Sequence, residues 1–324
     1  MNGAIDLDPF RLATGRPGSP AWRFDPPGVT ARLAAPAAAP FDAVAAWAAP
    51  HLPGGAACFA RALGHGGVHL EGRPVQPSAP PARVAAGAQI AVHAFLREPE
   101  RVPLGPDAVL LDRDGIVAVA KPPWITTVRC RASARLSLEA RLRELLGAPA
   151  LVAVHRLDRT TSGVVLFARS RDAAAFLGAE LRAHRVVRRY LAWVSPAPDE
   201  AAFAVRGWIT RGLHPQRLRF VLRPDPGPGR RSSDTRFRRL AAGGGRALLE
   251  ALPVTGRTHQ IRVHLAARGH PLVGDDLYGP APVAGSDWSA ERALLHAERV
   301  RFRAPDGAWL EVRAPLPADF APGP

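Results

Sequence analysis

The chain has 324 residues, 47% of them hydrophobic, which is long for one domain and enough to bury a large core. Prolines, glycines and arginines interrupt every apolar run before it reaches membrane-spanning length, and the acidic N-terminus lacks the apolar stretch of a signal peptide. Two cysteines, Cys58 and Cys130, are too few for a disulfide framework or a cysteine-based zinc site. We therefore expect a cytoplasmic protein with no membrane partner.

The positive charge is large and unevenly distributed. The net charge is +15 at pH 7, and only one of the 43 basic residues is a lysine. Residues 1–100 hold 8 arginines and 7 acidic residues, so the excess lies in residues 101–324. A general preference for arginine explains the shortage of lysine, but neither the excess nor its location. A solvated basic surface is one interpretation; we favour a polyanionic partner, nucleic acid.

The first hundred residues predict a small module after a loose start. Residues 1–40 are rich in proline, alanine and glycine and show little periodicity, which indicates a flexible extension. Residues 41–95 contain two short stretches with helical spacing and then alternating stretches around a Glu-Gly turn, which predict two helices and a hairpin. The proline-spaced residues 96–106 predict a linker.

Residues 107–320 predict one larger domain in which strands and helices are interleaved. "AVLLDRDGIVAVAKP" predicts two strands around an Asp-Gly turn, and "LSLEARLRELLG" predicts an amphipathic helix. A buried strand ("GVVLFARS"), a second helix ("RDAAAFLGAELRAHRV") and further strands follow, with a last hairpin around Asp306 and Gly307. Many strands and few helices, without an internal repeat, favour an α+β fold with a mixed, mostly antiparallel sheet.

Residues 204–240 are unusually basic, with 10 arginines against two acidic residues. Apolar residues alternate there on both sides of a proline- and glycine-rich tip, "RPDPGPGRR", which predicts a basic hairpin or a pair of loops. We expect this segment to grip nucleic-acid phosphates, with Arg230 and Arg231 among the contacts.

Polar residues interrupt apolar stretches most densely in two segments, "VHRLDRTTSG" (154–163) and "VTGRTHQIRVHLAARGHPLVGDDLYG" (254–279). In the first, Asp158 lies between two arginines before an apolar stretch, so it is either a structural ion pair or a reactive group. The second contains His259 and His264 but no zinc-binding pattern, and the chain has neither a phosphate-binding loop nor a Gly-x-Ser-x-Gly elbow. If the protein is an enzyme, a single carboxylate nucleophile is the natural candidate.

"HRLDRTTSGVVLFARS" resembles the His-Arg-Leu-Asp-x-x-Thr-Ser-Gly signature of the RluA/RluD family of RNA pseudouridine synthases. Four more segments resemble the family's motifs in the family's order: "VAVAKPPW", "RVVRRYLAWV", the segment 254–279 and "LLHAERVRFRAPDG". Five ordered motifs are far more specific than any one of them. The resemblance covers residues 107–320 and implies a pseudouridine synthase core with a central basic cleft. Residues 41–95 faintly resemble the small αL-type, ribosomal-protein-like module that often precedes this core.

The resemblance implies that the protein isomerises specific uridines to pseudouridine in structured ribosomal or transfer RNA, with no cofactor and no metal. Asp158 would be the nucleophile, attacking either the ribose or the base. Arg262 would form a salt bridge that keeps Asp158 ionised, with an ordinary ion pair as the alternative. Tyr190 would stack on the uracil and take part in proton transfer near carbon 5, although a tyrosine on a strand is more often part of the core.

Residues around these three are expected to hold the RNA and to flip the target uridine out of its stack. Arg156 resembles the family arginine that fills the vacated space, with a phosphate clamp as the alternative. Lys121, the single lysine, is equally compatible with a phosphate contact and with a structural role. Arg257, His259 and Gln260, from the long motif, are expected to contact RNA.

Some features leave alternatives open. Residues 161–163, Thr-Ser-Gly, predict a tight turn that holds Asp158 through hydroxyl bonds to the backbone. The loop "WITTVRC" departs from the family's pattern, and residues 41–95 lack the usual basic charge of an RNA-binding module. The main alternative is a non-catalytic RNA-binding or chaperone protein on the same scaffold. In either case we expect a monomer. A glycosidase that pairs Asp275 with Asp276 fits the basic charge poorly.

Overall fold

The computed structural model describes residues 21–25, 28–52, 55–95, 102–133, 135–213, 219–280 and 290–320. These residues divide into two compact units. The small unit contains the described residues up to 95 together with residues 131–133, and the large unit contains the rest. Within the described residues no helix is both long and apolar enough to cross a membrane.

The small unit combines two helices with a five-stranded antiparallel sheet. The helices are α1 (Phe41–Ala48) and α2 (Gly55–His65). The sheet has the order β1-β2-β7-β4-β5, from strands β1 (Ala21–Asp25), β2 (Gly28–Ala34), β4 (Val68–Leu70), β5 (Arg73–Pro74) and β7 (Gln89–Phe95). Two short strands, β3 (Ala39–Pro40) and β6 (Arg83–Val84), pair with each other. The two helices and the hairpin predicted for residues 41–95 are therefore present.

The boundary predicted at residue 40 is wrong, because the sheet begins before it. Strand β2 pairs with β7 along its whole length, and Ala31 and Leu33 are buried in the core of the small unit. The alanine and glycine residues of β2 have low β-propensity, so the sequence does not predict this strand. Pairing with a neighbouring strand stabilises it. Residues 1–20 and 96–101, which hold most of the predicted extension and linker, lie outside the described residues.

The large unit is built on an eleven-stranded sheet with the order β14-β13-β15-β16-β12-β17-β11-β9-β8, with β10 beside β11 and β18 beside β17. Among the pairs of this sheet only β11 and β17 are parallel. The fold is thus α+β with a mixed, mostly antiparallel sheet, as the sequence predicts. Its strands are β8 (Val109–Arg113), β9 (Ile116–Lys121), β10 (Val152–Ala153), β11 (Ser162–Ala168), β12 (Val187–Val194), β13 (Ala202–Arg211), β14 (Phe220–Arg223), β15 (Arg231–Gly243), β16 (Arg246–Pro253), β17 (Leu295–Arg303) and β18 (Trp309–Arg313).

The described residues of the large unit form three α-helices: α3 (Leu138–Leu145), α4 (Arg171–Arg182) and α5 (Gln260–Ala267). Helices α3 and α4 begin after Ser137 and Ser170, whose hydroxyls accept hydrogen bonds from the backbone N–H groups three residues later. Helix α5 is almost entirely buried. The sequence predicts α3 and α4 as helices, whereas for α5 it predicts only a buried element.

Strand β11 anchors the loop that carries Asp158. Every residue of β11 is buried, and Gly163 near its start has φ 115°, a conformation that favours glycine. A Cβ at Gly163 would lie 2.2 Å from the carbonyl oxygen of Ala297 on β17. Only glycine therefore allows β11 and β17 to approach in parallel at this point, directly after the loop.

Candidate active site

Asp158 lies in the loop between β10 and β11. Its backbone carbonyl accepts a hydrogen bond from the N–H of Thr161, which closes a tight turn over residues 158–161. Its side chain is 18% exposed. The carboxylate is thus largely shielded from water but open on one side, as a reactive group must be.

Arg262, on the buried helix α5, bridges Asp158 and Asp275. Its Nη1 lies 3.2 Å from Asp158 Oδ2, which is the ion pair that the sequence predicts. Its Nε and Nη2 donate to both oxygens of Asp275 at 2.8 Å, and Asp275 also accepts from two backbone N–H groups, of Leu277 and Tyr278. Asp275 therefore fixes the guanidinium, and the guanidinium is aimed at Asp158.

The surroundings of Asp158 favour its ionised form. Burial alone would raise its pKa, but His259, Arg262 and the hydrogen bond from Arg262 lower the pKa below its ordinary value. Burial lowers the pKa of His259 itself, so this imidazole is mostly uncharged at neutral pH. Arg262 is then the permanent cation, and Asp158 is a carboxylate at neutral pH.

His259 is held beside Asp158 by Tyr278. It lies just before α5 with φ 56°, and its Nε2 is 3.8 Å from Asp158 Oδ2. Its Nδ1 is 2.9 Å from the Tyr278 hydroxyl, which also accepts from the N–H of Phe220. The Tyr278 ring in turn packs 5.2 Å from the Arg262 guanidinium. These contacts make His259 part of the support of Asp158.

Tyr190 lies in the middle of β12, opposite Ala251 of β16. It is 7% exposed and belongs to the main hydrophobic core, yet it also lines the cavity above Asp158. Burial raises the pKa of its phenol; Arg188 opposes this effect, and the negative charge of Asp158 adds a still smaller increase. The sequence offers two interpretations of Tyr190, a residue of the core and a residue of the active site, and its position is compatible with both.

These groups face a cavity of about 520 Å³ within the large unit. This volume falls in the usual range of small-molecule sites, roughly 300–1,000 Å³. The acidic residue in its lining is Asp158, whereas the lining contains five arginines: Arg156, Arg182, Arg188, Arg257 and Arg262. A cavity with this charge is suited to an anionic ligand that is presented to one carboxylate.

The structure separates the residues that the sequence assigns to RNA. Arg156 is exposed at the cavity, and Arg257 lines it while donating to the carbonyl of Ser232. Arg231 is exposed on β15, and Arg230 folds back onto the carbonyl of Asp225 at the tip of the basic hairpin. Neither Arg230 nor Arg231 lines the cavity.

Gln260 was predicted to contact RNA, and its contacts contradict this. It is 4% exposed, and its amide oxygen accepts from the Thr255 hydroxyl and the Arg257 N–H. Its amide nitrogen donates to the carbonyl of Asp234 and the hydroxyl of Thr235. Because both ends of the side chain are used internally, Gln260 joins the loop before α5 to β15 and is a structural residue.

The sequence is equally compatible with a phosphate contact and with a structural role for Lys121, and the contacts of its side chain support the structural role. It is 1% exposed, and its ammonium donates to the carbonyls of Pro122, Arg159 and Thr161. Burial lowers its pKa well below the ordinary value. Of the two alternatives for Lys121, the phosphate contact is therefore contradicted, because all three N–H groups already bind backbone carbonyls.

The hydroxyl of Ser162 also differs from the prediction. It lies 2.9 Å from His296 Nδ1 and 3.4 Å from Arg292 Nη2, so it bonds side chains of the segment 292–296 and not the local backbone. The turn predicted at residues 161–163 lies earlier in the chain, over residues 158–161, because Ser162 and Gly163 already belong to strand β11.

Sequence reasoning missed the partners that orient the site. The sequence suggested Asp275 only as an acid of the disfavoured glycosidase and gave no role to Tyr278, nor to His155 or Arg188, which line the cavity beside Tyr190. A buried arginine requires an acidic partner, so Arg262 was a signal for Asp275. His155 and Arg188 lie in motif segments but carry no signal of their own.

The match to known families and proteins agrees with this geometry. A family model described as RNA pseudouridylate synthase matches residues 115–267. A Chloroflexus aurantiacus protein described as an uncharacterized RNA pseudouridine synthase is 42% identical over 52% of this chain and 50% of that protein. The ribosomal large subunit pseudouridine synthase C of Yersinia pestis is 34% identical over 73% of each chain.

A solved structure, human RNA pseudouridylate synthase domain containing 1, has a TM-score of 0.53 and 27% identity over 67% of this chain and 87% of that chain. The chain thus spans about half the length of the first relative and nearly three quarters of the second. The family model, the relatives and the solved structure are all described as pseudouridine or pseudouridylate synthases. The chain belongs to the RNA pseudouridylate synthase family.

Proposed function

We propose that this protein isomerises specific uridines to pseudouridine in structured RNA, with Asp158 as the nucleophile. The observation that carries the proposal is one carboxylate, held ionised by Arg262, in a cavity whose other charged lining groups are basic. A carboxylate in this state can act as a covalent nucleophile without a separate base. The family to which the chain belongs supports the same reaction.

The reaction breaks the bond between ribose and uracil, turns the base and rejoins it through carbon 5, where a proton is lost. Asp158 would attack either the ribose or the base ring, and both routes need the carboxylate form. The raised pKa of Tyr190 keeps its phenol protonated, and its ring forms a wall of the cavity. We assign Tyr190 to stacking on the uracil and to proton transfer near carbon 5.

The target uridine must leave its stack before it can reach Asp158. Arg156 is exposed, lies two residues before Asp158 and lines the same cavity. We assign it to the space that the flipped nucleotide vacates. Arg257, also at the cavity, is assigned to the RNA backbone, where phosphate contacts fix the position of the substrate.

The substrate that we favour is ribosomal RNA. Relatives that cover three quarters of this chain are named for the large ribosomal subunit, and the net positive charge of residues 101–324 suits a polyanion. Transfer RNA is the second candidate. We further propose that the protein acts as a monomer in the cytoplasm, and that the small unit is an accessory RNA-binding module.

The decisive experiment maps pseudouridine across cellular RNA with and without this protein. Wild type is expected to modify at least one uridine, and Asp158→Asn is expected to abolish that modification, because the amide is not a nucleophile. Asp199→Asn is the matched control, since Asp199 is exposed and does not line the cavity. If wild type modifies no uridine, the alternative of a non-catalytic RNA-binding protein on this scaffold stands. If Asp158→Asn matches an active wild type, Asp158 is not the nucleophile.

A further inference from the structure

The loop from Leu157 to Thr161 is not part of a helix or strand, so donors from elsewhere must define its backbone. Each of its five carbonyls accepts a hydrogen bond. The Leu157 carbonyl accepts from Thr127 Oγ1, and the Asp158 carbonyl accepts from the N–H of Thr161. The Arg159 carbonyl accepts from the N–H of Trp124 and from Lys121 Nζ, which also donates to the Thr161 carbonyl. The Thr160 carbonyl accepts from Arg292 Nη1. The position of Asp158 is therefore set by a small number of identifiable groups.

Arg292 is the donor that comes from farthest along the chain. It lies before β17 and is 2% exposed. Its Nη1 donates to Thr160 at 3.0 Å, and also to the carbonyls of Ala293 and Leu295. An arginine can give five hydrogen bonds in one fixed plane, so its orientation decides where the Thr160 carbonyl lies.

The orientation of Arg292 depends on Asp319. Arg292 Nε and Nη2 donate to the two Asp319 oxygens at 2.6 and 2.8 Å, a bidentate pair that fixes the plane of the guanidinium. The Asp319 side chain is 46% exposed, unlike its partner. An exposed carboxylate thus reaches the loop of Asp158 through one buried arginine.

Asp319 is itself held in place by the turn Ala318–Phe320. Phe320 is 3% exposed, and its ring lies 5.8 Å from that of His296. The carbonyl of Phe320 accepts from Trp193 Nε1 at 3.1 Å. The turn therefore packs on β12 and β17, two strands of the site, and does not extend into solvent.

We propose that Asp319 is a positioning residue for Asp158, acting through Arg292 and the Thr160 carbonyl. The inference rests on the proposed function, because it treats Asp158 as the nucleophile. Asp319 touches neither the cavity lining nor Asp158. Its effect is expected on the rate of the chemical step, and not on RNA affinity.

Asp319→Asn is the informative change, because it keeps the shape of the side chain and removes its charge and one of its two acceptors. The variant is expected to fold, since the residue is half exposed. The Thr160 carbonyl loses its fixed donor, and Asp158 shifts by a fraction of an ångström. Misplacement of about 1 Å can cost about a hundredfold, so we expect a loss of about 10- to 100-fold in the rate constant.

The measurement is a single-turnover assay with enzyme in saturating excess over an RNA that wild type modifies. Under these conditions a partly unfolded variant has fewer active molecules but an unchanged saturating rate constant. A misplaced nucleophile lowers the rate constant itself, while the dissociation constant for the RNA stays the same. Asp319→Glu keeps the charge and is expected to recover the rate to within about threefold, because the half-exposed side chain has room for one more methylene.

Glu200→Gln is the matched control. Glu200 is also about half exposed and paired with an arginine, Arg268, but neither residue contacts the Asp158 loop. It is expected to react like wild type. A wild-type rate constant for Asp319→Asn, or a loss that Asp319→Glu does not recover, would overturn the proposal. An inactive wild type would instead refute the proposed function, so the two failures can be told apart.

Discussion

At the residue scale, Arg262 shares one guanidinium between two carboxylates of different exposure. Asp275 is fully buried, whereas Asp158 is partly open to the cavity. Burial would raise the pKa of Asp275, but Arg262 and the backbone hydrogen bonds outweigh this and lower it. The same arginine therefore stabilises a structural acid and keeps a reactive one charged.

Removing this guanidinium is expected to destabilise the fold. Arg262→Gln leaves Asp275 buried without a cation, and breaking a buried pair on one side costs about 3–5 kcal/mol. The change should appear as a lower free energy of unfolding in urea. The double variant Arg262→Gln with Asp275→Asn should regain part of the loss, because no uncompensated charge remains. Equal stability of wild type and Arg262→Gln would contradict the bridging role.

The hydroxyl and the ring of Tyr190 can be tested separately. Tyr190→Phe keeps the ring against the cavity and removes the phenol proton. If the hydroxyl takes part in proton transfer, the single-turnover rate constant should fall by about 10²-fold or more, with unchanged RNA affinity. Phe203→Leu, a core change outside the cavity, is the control. A wild-type rate for Tyr190→Phe would limit Tyr190 to stacking.

At the element scale, local chemistry predicts most of the strands and helices. The Asp-Gly turn between β8 and β9 has both residues at positive φ, as the sequence pattern requires. Strand β2 was missed because its pairing with β7 joins residues more than fifty positions apart, and its pairing with β1 lies within residues 1–40, which show little periodicity. The order of the strands in the sheet was not predictable, because it depends on contacts between distant segments.

The same limit applies to the site. The pairing of Arg262 with Asp158 spans 104 residues and was predicted only through the family resemblance. The RNA contact predicted for Gln260 is wrong, and the sequence could not decide between two roles for Lys121, because burial decides whether a polar side chain faces RNA or the backbone. Sequence patterns do not reliably predict whether a residue at the end of a strand or helix is buried.

The strands β13, β14 and β15 form the basic edge of the large sheet, and Arg231 is exposed there. If this edge grips RNA phosphates, Arg231→Ala should weaken RNA binding and lower the slope of log Kd against log salt by about 1. The saturating rate constant should stay the same. Arg113→Ala is the control, because two carboxylates already neutralise Arg113. An unchanged salt slope would place the grip elsewhere.

At the scale of the whole molecule, the large unit buries several histidines in neutral form. Burial lowers the pKa of His155 to about 3, with a smaller effect of Arg188, and lowers the pKa of His264 to about 4. Burial likewise lowers the pKa of His296 to about 4. In the unfolded chain each would titrate near 6.5. Below that pH the unfolded state therefore binds protons that the folded state does not.

This difference predicts a loss of stability in mild acid. The contribution of the three histidines is fully present above pH 6.5 and is lost as the pH falls from 6.5 towards 4. Between pH 7 and 5 each is expected to cost up to about 2 kcal/mol of unfolding free energy. Urea unfolding followed by circular dichroism at pH 7, 6 and 5 measures the loss.

A single substitution assigns the effect to a residue. His264 is buried against Ser233, so His264→Gln removes one titrating group and should reduce the drop between pH 7 and 5 by up to about 2 kcal/mol. His184→Asn is the control, because His184 is exposed and its left-handed backbone tolerates asparagine. The control should show the same drop as wild type. The lowered pKa values of Asp158 and Asp275 add a further loss of stability only below about pH 4, so they do not affect this comparison. Equal stability at pH 7 and pH 5 would contradict the prediction, because the histidines would then bind protons in the folded state as they do in the unfolded state.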